Sequence, residues 1–99
     1  MKYLLPADAE LEKLGALMKV FGDKTRLRIL YCLKMGEMSV TEICERVEMD
    51  QSAVSHQLRV LKDSRLIKSR REGRSMLYSL CDGHVESMII LGLEHVEEQ

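Results

Sequence analysis

Four side chains late in the sequence, Asp82, His84, His95 and Glu98, offer two imidazoles and two carboxylates. These are donors that a borderline divalent cation accepts. His84 and His95 are eleven residues apart. On a helix that is about three turns, so the two rings point the same way but stand roughly 16 Å apart at 1.5 Å per residue. One helix cannot bring both to a single ion. Glu98 shares the face of His95, and Asp82 stands at the helix entrance beside His84, so the pattern divides into half-sites, Asp82 with His84 and His95 with Glu98. Two copies of the helix packed antiparallel about a two-fold axis would set the first half-site of one against the second of the other, giving two equivalent four-donor sites per homodimer. Met88 and Leu91, between the half-sites, supply an apolar strip for such a seam. Taken alone, the segment is also open to the plainer description of a solvated acidic helix end.

A second group of residues suits a polyanion. From Arg59 to Arg74 the chain has seven basic residues (Arg59, Lys62, Arg65, Lys68, Arg70, Arg71, Arg74) against two acids, a local charge of +5. From Asp82 onward there are five acids and no lysine or arginine, so the overall charge of −1 conceals a strong segregation. Just upstream, Gln51, Ser52, Ser55, His56 and Gln57 carry short hydrogen-bonding groups able to reach base edges in a major groove or nearby phosphates. Arg59 and Lys62 are better placed for the phosphate backbone. Arg70, Arg71 and Arg74, near a hairpin tip, would neutralise phosphates along an adjacent groove without reading sequence. An isolated run of arginines usually does no more than keep a surface solvated. Here it directly follows a helix-turn-helix pattern, and that conjunction points to double-stranded DNA. His56, taken singly, is open to either reading.

The elements that must position these residues are legible from periodicity. Leu11, Leu14, Met18 and Phe21 recur at helical spacing after Asp8, a candidate cap, predicting a helix over 8–21. With Asp23 as the next cap, Leu27, Leu30, Tyr31 and Lys34 fall on one face of a second helix ending before Gly36. Ser39-Val-Thr-Glu42 is a capping box, followed by Val40, Ile43, Cys44 and Val47 on one face of a short third helix. Asp50 caps a fourth, whose inward stripe is Val54, Leu58 and Leu61. The two short helices, separated by Glu48-Met49-Asp50, read as a helix-turn-helix. After Arg65 the period falls to two: Met76, Tyr78 and Leu80 alternate with polar neighbours, and Ile67 to Arg71 pairs with them across Glu72-Gly73-Arg74. Helical spacing returns over 84–97. The expected fold is mainly α with a small β part: a winged helix-turn-helix of five helices and a two-stranded hairpin wing, one domain over 1–99.

Composition excludes several alternatives. Hydrophobic residues are 45% and charged residues 31% of the chain, which is neither disordered nor fibrous. The longest apolar run, Met88 to Leu91, is far too short to span a bilayer, and the opening Met-Lys-Tyr-Leu-Leu-Pro lacks the apolar region and cleavage site of a secretory signal. No membrane partner is expected, and a cytoplasmic location is. Cys32, Cys44 and Cys81 are an odd set without Cys-x-x-Cys spacing, as expected for reduced thiols.

Three stretches, Phe21-Gly-Asp-Lys-Thr-Arg-Leu-Arg-Ile-Leu30, Gln51-Ser-Ala-Val-Ser-His-Gln-Leu-Arg-Val-Leu61 and Arg71-Glu-Gly-Arg-Ser-Met-Leu-Tyr-Ser-Leu80, closely resemble the ArsR/SmtB family of bacterial metal-sensing repressors. The likeness runs over nearly the whole chain. It implies a winged-helix homodimer that binds a palindromic operator without metal and releases it when metal arrives. In the zinc- and cobalt-sensing branch, the resemblance implies ligands arranged as Asp-x-His, then a His, then a His or Glu three residues later. Asp82-Gly-His84, His95 and Glu98 match that arrangement. Zn(II) is the expected effector, with Co(II) able to substitute, because two nitrogens and two oxygens in tetrahedral array suit both. The family's other common site needs Cys-x-Cys on the third helix, whereas Cys44 is followed by Glu45 and Arg46, which argues against a thiolate sensor of cadmium, lead or arsenic. The alternative is a thiol-based redox or sulfide-sensing repressor of the same fold. It is weakened by Cys32 and Cys44 facing inward as small core residues. Catalytic zinc needs an open coordination position, which this constellation fills, and the sequence has no nucleophile-base pair. Neither an enzyme nor a small-molecule substrate is expected.

Overall fold

The computed structural model describes residues 4–98. Met1–Tyr3, the start of the segment tested above for a secretory signal, and Gln99 lie outside the described residues. Among the described residues, five helices and three strands follow in the order α1 (Asp8–Phe21), α2 (Lys24–Lys34), β1 (Met38–Ser39), α3 (Val40–Val47), α4 (Gln51–Asp63), β2 (Ile67–Glu72), β3 (Ser75–Leu80) and α5 (Gly83–Glu97). The fold is a winged helix-turn-helix, with α3 and α4 as the helix pair and the β2–β3 hairpin as the wing.

Capping side chains start the helices largely where their spacing predicts. Asp23 accepts the Arg26 N–H at 3.0 Å and Asp50 the Ala53 N–H at 2.8 Å. Ser39 and Glu42 accept each other's backbone N–H, at 2.9 and 3.2 Å, closing the expected box. Glu48, in the left-handed region at φ 57°, ends α3 and opens the turn into α4. At α1 the cap is Ala7 rather than Asp8, and the Ala7 N–H donates to Glu10 at 3.1 Å. Asp8 is the first helical residue, where its charge faces the positive end of the helix dipole. The last helix starts at Gly83, one residue earlier than expected, because Asp82 caps it.

The wing differs from the expected two-stranded ribbon. The sheet is antiparallel in the order β1-β3-β2, with Met38 paired to Tyr78 and Ser39 to Leu77. A two-residue strand shows no alternation, which is why its pairing does not register in the sequence. Glu72 pairs with Ser75, so the connection shortens to Gly73-Arg74. Gly73 has φ 62°, and glycine is favoured at the first central position of a two-residue hairpin loop.

The core gathers Ile29, Leu30 and Leu33 of α2 with Ile43, Val47, Val54, Leu58, Leu61, Ile67, Val85 and Ile89 from the surrounding elements. The predicted stripe on α4 is the buried one. On α2 the expected face is buried in part: Leu30 is fully buried and Leu27 and Tyr31 pack against the core, Lys34 is exposed, and Ile29 and Leu33, outside that face, are buried as well. This helix is apolar on two sides, since Leu27 and Tyr31 line a separate groove together with residues of α1 and α5. No residue of α1 is buried.

Candidate DNA interface and terminal-helix donor face

Burial of Val54, Leu58 and Leu61 turns Gln51, Ser52, Ser55, His56 and Arg59 outward along α4, and all five are exposed. Gln57 is not part of that row. It is half-buried, and its side-chain oxygen accepts from Arg26 Nε at 2.8 Å. Arg26 also donates to the Val20 carbonyl at 3.5 Å, so a single guanidinium links the end of α1 to α4. Gln57 stands three residues after Val54 and four before Leu61. That spacing belongs to the inward side.

On the wing, strand alternation separates residues that adjoin in sequence. Lys62 Nζ donates to Ser69 Oγ at 2.8 Å, so the face of β2 bearing Ile67, Ser69 and Arg71 is turned toward α4. Ser55, Arg59, Lys62, Asp63 and Tyr78 line the polar groove between helix and sheet. Arg71 and Arg74 are exposed and make no ion pair among the described residues. Arg70 points to the other face. Its guanidinium donates to both oxygens of Glu37, at 2.7 and 2.8 Å, and to Glu72 at 3.1 Å. The hydrogen bond from Arg70 is the main cause holding the Glu37 carboxyl below its ordinary range, and Glu37 in turn raises the guanidinium pKa.

At the start of α5, Asp82 Oδ1 accepts the backbone N–H of His84 at 2.9 Å and of Val85 at 3.2 Å. These bonds, Val85's foremost, hold the Asp82 carboxyl below its ordinary value of 3.8. His84 Nδ1 lies 3.6 Å from Asp82 Oδ1, and the His84 side chain is 92% exposed. Val85 and Ile89 are the buried side of α5. His84, Leu91, His95 and Glu98 are exposed and Met88 is half-buried. Tyr31 ties the helix to α2 by donating its hydroxyl to the Ile89 carbonyl. Burial, and next the charge of Glu97, raise that phenol's pKa. Among the described residues no three His, Cys, Asp or Glu side chains converge within this chain. The donor set nonetheless fits a borderline cation: imidazoles and carboxylates face solvent, and the second oxygen of Asp82 takes no hydrogen bond among the described residues.

The three cysteines are free, half-buried and packed against the core, Cys81 included. Burial raises the Cys32 thiol pKa, with Arg46 opposing.

A sequence model described as bacterial regulatory protein, arsR family, matches residues 23–69. The HTH-type transcriptional regulator NmtR of Mycobacterium tuberculosis is 40% identical over 85 residues, covering 86% of this chain and 71% of that protein. The chain belongs to the arsR family. It spans 66% and 71% of the length of two of the curated relatives it matches. Among solved structures, the fold is similar to the homodimeric winged helix-turn-helix DNA-binding domain of Mb0332 from Mycobacterium bovis, a possible ArsR-family regulator. There the TM-score is 0.87 at 28% identity, covering 96% of this chain and 91% of that one. It is also similar to the AntR antimony-specific transcriptional repressor, with TM-score 0.84 at 38% identity over 95% and 86% of the two chains.

The arsR-family match runs from the cap of α2 through Ser69 of β2, so it takes in the helix-turn-helix and stops before the return strand and α5. Arg26 and Glu37, the latter in the link to β1, both lie inside that span and are the residues that sequence reasoning missed. Arg26 had no apolar periodicity to mark it, and Glu37 sits in a link too short to carry a pattern.

Proposed function

We propose that this arsR-family chain is a metal-responsive transcriptional repressor that acts as a homodimer on double-stranded operator DNA and is released by Zn(II), with Co(II) able to substitute. The observation that carries this reading is the α5 face: Asp82 beside His84 at one end and exposed His95 and Glu98 at the other. With no converging donor trio among the described residues of one chain, a second copy is the natural source of the missing ligands. Asp82 and His84 of one protomer with His95 and Glu98 of its partner would complete a four-donor site. Zinc held there would cross-link the two helices.

Apolar surface supports the pairing. Leu11, Leu14 and Met18 of α1 and Leu91, Leu93 and Val96 of α5 are all more than 40% exposed in the single chain. An apolar groove runs between these helices, lined by Met18, Phe21, Met88 and Leu93 among others. Such a surface on a small domain favours self-association. The neighbour Mb0332 is homodimeric, and AntR is a repressor specific for antimony.

On DNA, Gln51, Ser52, Ser55 and His56 face the major groove, while Arg59, Arg71 and Arg74 take phosphates. The metal-free dimer spaces two recognition helices to fit successive grooves. Cross-linked α5 helices favour a different spacing, so metal and operator oppose each other with a reciprocal coupling on the order of 1–3 kcal/mol. His95 would use its second ring nitrogen to grip a carbonyl or carboxylate of the winged body. A DNA-binding titration with and without zinc tests this, using the wild type and H95Q. The wild type should release DNA on zinc addition, and H95Q should bind DNA but ignore zinc. Release by zinc from H95Q would sink the mechanism.

A further inference from the structure

Arg70, Glu37 and Glu72 form a small network on the face of the wing turned away from α4. Glu37 precedes β1 and, by the register of that strand, lies opposite Ser79 of β3, which itself pairs with Lys68 of β2. Its carboxylate crosses β3 to meet the fork of Arg70 on β2 in a two-point bond, at 2.7 and 2.8 Å. The three strands are thereby strapped together from one edge to the other. Bidentate guanidinium–carboxylate pairing satisfies the same donors that would otherwise grip a phosphate. Glu72 takes a further share of Nη2. On the α4 side, by contrast, Arg71 has no carboxylate partner among the described residues, and Arg74 extends from the loop.

We infer that Glu37 is a positioning residue of the wing, which withholds Arg70 from DNA and leaves Arg71 and Arg74 as the phosphate-neutralising pair. The inference rests on the reading of the wing as a DNA-contacting element. Its signature is electrostatic counting. Each phosphate neutralised contributes about 0.9 to the slope of log affinity against log salt, so that slope reports which arginines touch the backbone.

The experiment measures binding of the full chain to a fluorescein-labelled mixed-sequence duplex by anisotropy across a potassium chloride series. R71A and R74A should each flatten the slope by about 0.9 per engaged wing, whereas R70A should leave it unchanged. Neutralising both carboxylates in E37Q/E72Q should free Arg70 and steepen the slope. That gain should vanish in E37Q/E72Q/R70A. A gain due only to removing two negative charges would survive the loss of Arg70, and would overturn the proposal. So would an R70A slope as flat as that of R71A while the wild type remains steep. A wild-type slope near zero would overturn both the proposal and the DNA reading beneath it.

Discussion

Two complementary variants, mixed, interrogate the divided metal site. In α5, His84 is the second residue and His95 the thirteenth, so they are separated by roughly 16 Å of helix axis at 1.5 Å per residue. Nitrogens bound to one zinc at about 2.0–2.1 Å lie within about 4 Å of one another. H84Q and H95Q homodimers therefore each lose one donor from both of their sites. In a dimer containing one chain of each, both losses fall in the same site and the other site stays whole. Random re-association of equal amounts makes about half the dimers mixed, each with one intact site where the wild type has two, so tight zinc binding should recover to about one quarter of the wild-type stoichiometry. The assay is a competition titration against a chromophoric zinc chelator, run on each variant alone and after co-refolding. Folded, dimeric variants that regain no tight binding on mixing would refute the division of the ligands between protomers. Full zinc affinity in H84Q alone would do the same.

Other perturbations reach the body of the fold. Leu58 is 2% exposed in the centre of the core, so L58A should lower the unfolding free energy by about 2–5 kcal/mol in denaturant melts at fixed protein concentration. A loss below about 1 kcal/mol would contradict the packing of α4. R26M removes the tie between Gln57 and the end of α1, and should weaken operator binding several-fold while leaving the salt slope intact, because no phosphate contact is lost; a slope flattened as in R71A would instead make Arg26 a DNA contact. The raised Cys32 pKa leaves less thiolate at neutral pH than an ordinary cysteine has, so alkylation there should be slow at pH 7.5 and accelerate as pH rises past 9.0. Rapid labelling at pH 7.5, with loss of DNA binding on oxidation in the presence of a chelator, would favour the thiol-sensing alternative.

Most of the helical framework was legible because its determinants are local. Ser39 with Glu42, Asp23 and Asp50 announce helix starts through a few adjacent residues, and Val54, Leu58 and Leu61 mark one face of one helix. The errors arose where a second partner intervened. Leu27 and Tyr31 obey the helical period and pack against the core beside Leu30, but they also line a groove shared with α1 and α5, and Ile29 and Leu33, outside that period, are buried too. Arg70 follows a charge pattern that composition reads correctly, and only the alternation of a strand together with a carboxylate 33 residues away decides its direction. The α5 donors were conspicuous by residue type and spacing. Their division into two ends of one helix follows from elementary helix geometry, whereas the hydrogen bonds that also make Asp82 a cap depend on where the helix begins.

The strand order leaves β2 at the margin of the sheet, with main-chain groups along one side free to pair with a foreign strand. Lys68, Arg70, Arg71 and Glu72 crowd that margin. Charge there keeps the protein from zipping onto its own kind, a duty separate from any ligand. Replacing the wing's arginines with valines would therefore endanger solubility as well as recognition, and the clumps formed would grow by edge-to-edge addition of intact molecules.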